Sequence, residues 1–170
     1  MKSKNEIILA YQEARNAHDI DLVLSYLSPD IRFGMAGLWV KQGHEEIRTL
    51  EEWDAVHNSQ TVFENLKMRN QRLECKATET NDWYQMVGIS SIKYDSIKFE
   101  FDLMKINHIR AKMSPKSERQ IDQVINDILR WALKAHPDKI DDLIPRGQFV
   151  YGREQAKRWK VLIDEWQHRR

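Results

Sequence analysis

Apolar residues return every three or four positions between Asn5 and His18, at Ile7, Ile8, Tyr11 and Ala14. This spacing puts them on one face of an α-helix, with the buried stripe centred near Tyr11. The stretch HDID interrupts the pattern, and Asp19 or Asp21 is placed to cap a second short helix, LVLSYL, which SPD at residues 28–30 is expected to end. In IRFGMAGLWVKQG, β-favouring residues flank a turn-prone Gly-Met-Ala-Gly, so the spacing predicts a hairpin closed by Gly43. Residues 44–58 return to helical spacing, and residues 61–80 alternate in polarity as two strands.

NDWYQMVG has room for a turn or two of helix, capped by Asn81 or Asp82. Strand character then resumes, with Phe99 and Phe101 on one face and Glu100 and Asp102 on the other, and with Ile109, Ala111 and Met113 repeating the same period. Ser114 followed by Pro115 signals a helix start, and Ile121, Val124, Ile125, Ile128 and Ala132 form its apolar stripe, expected to end at Pro137. A last helix carries Ala156, Trp159, Leu162, Ile163 and Trp166 on one side. The order of elements defines an α+β protein, with helices on one side of an antiparallel sheet over residues 1–113 and a helical extension over 114–170 packed on the same domain.

Composition narrows the function classes. A chain of 170 residues is the size of one domain and buries on the order of 70% of the surface its unfolded form exposes. With 27 basic against 26 acidic residues, no net field draws in nucleic acid or an anionic membrane, and neither is expected as a partner. No apolar run approaches the length of a membrane span, and the N-terminal stretch, carrying Glu6 and Glu13, lacks the apolar centre of a signal peptide. Cys75 is the only cysteine, which excludes disulfides and thiolate clusters within one chain and makes a reducing, cytoplasmic setting the expectation.

Candidate chemistry gathers in HEEIRTLEEWDAVHN, residues 44–58, which opens like the zinc-protease motif His-Glu-x-x-His and then places Arg48 where the second histidine would stand. At 100° per residue, Ile47, Leu50, Trp53, Asp54, His57 and Asn58 share one broad face, while His44 and Glu45 sit in a first turn that favours an acid. Three readings of Asp54 and His57 stay open. They are a polar pair satisfied at the edge of the core; two ligands of a metal site completed by a residue such as His108; or a pocket-facing pair in which Asp54 orients His57 as a general base. The doubled motif of metal-binding helices is absent, so neither a metal nor a cofactor is expected. In the pocket reading Tyr11 donates to an oxyanion or carbonyl, and Trp39, Trp53, Asn58 and Trp83 contact the ligand, although aromatic residues in so small a domain are more often core. His108 and Arg110 share a strand face that is otherwise expected to be solvated.

Several pieces, taken in order, resemble the nuclear transport factor 2-like superfamily in its SnoaL-like branch: AYQEARNAHDIDLVLSYLSPDIRF at 10–33, GHEEIRTLEEW at 43–53, NDWY before the long hairpin, and FEFDLMKINHIR near its end. The final LIPRGQFVYGREQAKRWKVLIDEW resembles an extension found in a bacterial subset. The resemblance implies a cone-shaped, strongly curved antiparallel sheet wrapped around N-terminal helices, a pocket at its wide end and, commonly, a homodimer. It does not imply one activity, because the superfamily hosts isomerases, cyclases, hydrolases, dehydratases and non-catalytic members. Tyr11 falls where ketosteroid isomerases place an oxyanion donor, but their aspartate base aligns with Met35 and their second donor near Ile97; the final-strand aspartate of limonene epoxide hydrolases aligns with Ala111. Two function classes follow: a pocket enzyme, an isomerase, cyclase or hydrolase acting on a small apolar carbonyl- or epoxide-containing molecule, or a non-catalytic ligand-binding or dimerisation module.

Overall fold

The computed structural model describes residues 1–169. Helix α1 (Lys4–Asn16) starts at a capping box, in which Ser3 Oγ accepts from the Glu6 amide and the Glu6 carboxylate accepts from the Ser3 amide. It buries Ile7, Ile8, Tyr11 and Ala14, the stripe its spacing predicts. Asp19 caps α2 (Ile20–Ser25) by accepting from the Leu22 amide at 3.1 Å. The hairpin β1 (Leu27–Met35) and β2 (Trp39–Gln42) leads into α3 (Gly43–Val56), then β3 (Gln60–Arg69) and β4 (Arg72–Thr80). Asn81 caps the short α4 (Asp82–Met86), and β5 (Ile92–Asp102) and β6 (Lys105–Met113) form the long hairpin. The extension comprises α5 (Pro115–Ala135), α6 (Pro137–Leu143), a 3-10 turn at Pro145–Gly147 and α7 (Arg153–Gln167).

The six strands make one open sheet in the order β2-β1-β6-β5-β4-β3. Two features of the expected sheet are corrected. The sheet is mixed, since β1 runs parallel to β6: α3 carries the chain to the far edge, and three successive antiparallel pairings bring it back beside β1 in the same direction. It is also open, with β2 and β3 as edges, and does not curl into a strongly curved cone. Pro29 lies inside β1, where the pairing with β6 is interrupted between Leu27 and Arg32, as suits a residue with no amide hydrogen to donate.

Strand β5 changes phase along its length. Ile92 and Tyr94 are buried, then Ile97 and Phe99; the switch from even to odd positions coincides with a register shift between Tyr94 and Ser96. One extra residue in a strand re-aims every side chain beyond it. The consequence is that Tyr94 and Ile97 both face the interior and line the same cavity.

The extension packs on the first part of the chain through a shared apolar cluster that joins Trp53 and Trp83 to Ile128, Leu143, Trp159 and Ile163. Within α5, Ile128 and Ala132 are fully buried, while Ile121 and Ile125 are half-buried because they face a cavity. Pro137 does not merely end a helix; it opens α6 at the first helical position, where its missing donor is of no account. In α7, Lys160 donates to the Val56 carbonyl at 2.9 Å and to Asp82 Oδ2 at 3.1 Å. An ammonium there satisfies an orphan carbonyl at the C-terminus of α3 and complements its dipole.

Candidate functional site

A cavity of about 600 Å³ lies between the inner face of the sheet and a cover made by α3, α5 and residues 147–151. Its aromatic wall is tied together across the two parts of the chain. Trp39 Nε1 donates to the Tyr151 hydroxyl at 3.0 Å, and the Tyr151 ring packs edge-on against Trp39 and Trp53, with centroids 5.9 and 5.4 Å away. Phe149 packs against Trp53 at 5.3 Å. Met35, Ile97 and Ala111, the positions at which the sequence resemblance locates the acids of isomerases and epoxide hydrolases, form apolar wall of the same cavity.

The polar groups come from elsewhere. Arg15 of α1 donates from Nη2 to Asp54 Oδ2 at 2.7 Å and from Nε to Glu51 Oε1 at 3.1 Å, and Ser59 Oγ donates to Asp54 Oδ1 at 3.1 Å. On β4, the Glu79 carboxyl accepts from the Tyr94 hydroxyl at 2.7 Å and, at 3.4 Å, from Asn81 Nδ2. Arg15, Asp54, Glu79, Asn81 and Tyr94 line the cavity; Glu51, 2% exposed, lies behind them. Glu51 and Asp54 therefore share one guanidinium, while Glu79 has only neutral hydrogen-bond donors. Burial, with the negative charge of Asp54 added, raises Glu79 to about 7, against the downward pull of Tyr94 and Arg15. Burial raises Glu51 as well, with Arg15 opposing. A carboxyl poised near neutrality on a cavity wall can both give and take a proton.

Of the seven residues that the pocket reading assigns in the sequence, Asp54, Trp39, Trp53 and Trp83 line this cavity, and Tyr11, His57 and Asn58 do not. Tyr11 is 1% exposed and lies between Phe63 and Phe99, with ring centroids at 6.4 and 6.2 Å. It is a core residue and not an oxyanion donor in the cavity. His57 is fully buried, its ring is 4.6 Å from that of Trp53, and neither ring nitrogen has a hydrogen-bond partner. Asp54 thus orients no imidazole; its partners are Arg15 and Ser59. Burial and the Lys160 charge lower His57 to about 4, so near neutral pH it is an uncharged filler of the helix-helix contact.

The reason is local. Helix α3 ends at Val56, and His57 and Asn58 leave its face as the backbone turns, Asn58 taking the left-handed conformation at φ 51°. Asn58 Nδ2 donates to Asp82 Oδ2 at 2.9 Å on the exterior. Asn58→Val is accordingly expected to destabilise the fold by about 1–2 kcal/mol through its positive φ, with Asn58→Gly within a few tenths and ligand binding in the cavity unaffected. Urea denaturation and a binding titration check this.

The remaining candidates sit outside the cavity. His44 Nε2 is 3.3 Å from the Leu27 carbonyl, and His108, with Arg110, flanks Glu100 on the outer face of the sheet. Among the described residues, no three His, Cys, Asp or Glu side chains are grouped so as to hold a metal ion. No helix among them is long and apolar enough to cross a membrane.

The fold is that of the nuclear transport factor 2-like proteins. SalBIII, an epoxide hydrolase/cyclase-like enzyme described in pyran ring formation in the polyether salinomycin, superposes with a TM-score of 0.60 over 67% of this chain and 92% of its own, at 13% identity. A nuclear transport factor 2-like protein of unknown function from Burkholderia pseudomallei gives 0.57 over 73% and 98%, at 17% identity. TerC, co-crystallised with polyporic acid, gives 0.56 over 71% and 98%, at 16% identity. At the level of sequence, neither a family model nor a curated protein matches the chain.

Proposed function

We propose that the protein is a pocket enzyme that uses Glu79 as its proton-transferring group on a small, largely apolar substrate bearing a carbonyl or epoxide. The observation that supports this reading most directly is a buried carboxyl, raised to about 7, on the wall of a cavity otherwise lined by aromatic and aliphatic side chains. In its protonated form Glu79 delivers a proton to a ring or carbonyl oxygen; in its ionised form it removes one from carbon beside a carbonyl. Tyr94 holds one oxygen of the carboxyl and fixes its orientation, while Asp54, anchored by Arg15 and Ser59, offers an acceptor for a water or hydroxyl. The enzymatic members of the fold, such as the epoxide hydrolase/cyclase-like SalBIII, are consistent with chemistry of this kind.

The non-catalytic reading draws on Met35, Ile97 and Ala111, which are apolar where the resemblance locates catalytic acids. One comparison separates the two. The protein is incubated with lipophilic epoxides and unsaturated ketones, products are followed by mass spectrometry, and Glu79→Gln is run in parallel. We expect turnover to fall by about a hundredfold or more in the variant, as when a general acid-base is removed, with binding retained. Equal turnover in Glu79→Gln would remove Glu79 from the chemistry, and binding without any turnover in the native protein would leave the ligand-binding module.

A further inference from the structure

Glu79 has no cationic partner among the described residues. Its hydrogen-bond donors, Tyr94 and Asn81, are neutral, and Arg15 is committed to Glu51 and Asp54. The charged side chains around the cavity are four carboxyls, Asp54, Glu79, Glu118 and Asp122, against the two cations Arg15 and Lys41. The rest of the wall is rich in rings, whose faces attract cations. One of them already does so, since Lys41 Nζ stands 5.6 Å from the centroid of Tyr151.

From this juxtaposition of an unpaired carboxyl, an acidic mouth and an aromatic wall, we propose that the molecule bound here carries a protonated secondary or tertiary amine. Its N–H donates to Glu79 and its alkyl substituents lie against the rings. A carboxylate has lone pairs to spare beyond the two that Tyr94 and Asn81 occupy. An alkylammonium matches both halves of the site, being weakly hydrated on its carbon side and a charge-assisted donor on its nitrogen side. The inference rests on the cavity being the ligand site and adds a charge to the class of substrate; with the ammonium seated Glu79 is ionised, so of its two proposed roles it narrows the chemistry to proton removal.

A pH dependence follows. The groups facing Glu79 are Arg15 of α1, Glu51 and Asp54 of α3, Tyr84 of α4, Tyr94 of β5 and Tyr151 of the extension. The three tyrosines are raised by burial and stay neutral throughout the range of interest. A bound ammonium favours ionised Glu79, so binding releases a proton when the free protein holds one there. Affinity for a permanently protonated amine therefore rises with pH between about 6 and about 8.

The test uses a dimethylamine carried on a phenylbutyl chain, compared with the same chain ending in an isopropyl group and with one ending in a carboxylate. Each is titrated against the full-length protein by quenching of tryptophan fluorescence. At about pH 8 the amine is expected to bind at least about tenfold tighter than the isopropyl analogue, as suits a desolvated charge pair with cation-π support. The advantage should shrink several-fold at about pH 6 and approach unity in Glu79→Gln. Binding of the isopropyl or carboxylate analogue as tight as the amine would overturn the proposal while leaving the acid-base role of Glu79 standing. Failure of all three to bind would count against the cavity as a ligand site and sink both. Should Glu79→Gln fail to fold, the pH dependence of the amine preference in the native protein decides the matter alone.

Discussion

Arg15→Met is expected to destabilise the protein by about 3–5 kcal/mol at about pH 8, the cost of breaking a buried ion pair from one side. The guanidinium is the direct partner of both Glu51 and Asp54, and all three side chains are largely withdrawn from solvent, at 14%, 2% and 16% exposure. Without Arg15, Glu51 can escape the penalty only by keeping a proton. Its folded-state pKa, already raised by burial, then rises further. A carboxyl raised in this way is compatible with folding below its unfolded value near 4.5 and loses stability as pH climbs through the folded value. The loss should accordingly be several-fold smaller at about pH 5 than at about pH 8, as read by urea denaturation at the two values. An equal loss at both would show that Arg15 acts chiefly by packing over the ring of Tyr11, 5.8 Å from its centroid.

His57→Leu is expected to protect the fold from acid. The imidazole is fully buried with both nitrogens unpartnered, and its pKa falls from 6.5 to about 4. A depressed folded-state value means that the residue adds no pH-dependent cost above about pH 6.5, where folded and unfolded chains both carry it neutral. Its contribution is lost as pH falls toward about 4, since the unfolded chain takes up the proton first; the full difference is about 3 kcal/mol. Thermal or urea melts of the two proteins should keep a constant offset above about pH 7 and diverge steadily below about 6.5 in favour of the leucine variant. Parallel pH profiles would mean that the ring finds a partner on protonation. Glu51 and Glu79 impose the opposite slope, favouring protonation, so that the acid limb becomes legible only when His57 is removed.

Much of the architecture could be read from periodicity and caps. The helix starts at Asp19, Asn81 and Ser114, the hairpins, and the stripes of α1 and α7 all follow from local chemistry. The parallel pairing of β1 with β6 could not, because it depends on where α3 delivers the chain, and nothing local records that. The site was half legible. Asp54 and three tryptophans reach the cavity, but helical periodicity continues in the sequence two residues past Val56, where the helix ends, and places His57 and Asn58 on a face they leave. Glu79, Glu51 and Arg15 belong to no motif, although the sequence carries a signal for each. Glu79 continues the inward alternation of Leu73, Cys75 and Ala77 along β4, Glu51 is one helical turn from Ile47, and Arg15 is one turn from Tyr11. A charged residue in phase with a buried stripe marks a place where burial has been tolerated for some purpose.

The Trp39–Tyr151 hydrogen bond joins walls that are written more than a hundred residues apart. The carboxyls Asp54 and Glu79 belong to the sheet and its helices, whereas Glu118, Asp122, Phe149 and Tyr151 belong to the extension. Reactivity and fit are therefore drawn largely from separate stretches of the chain. A different terminal stretch grafted after β6 would reshape what the cavity admits and leave its acid-base groups where they stand.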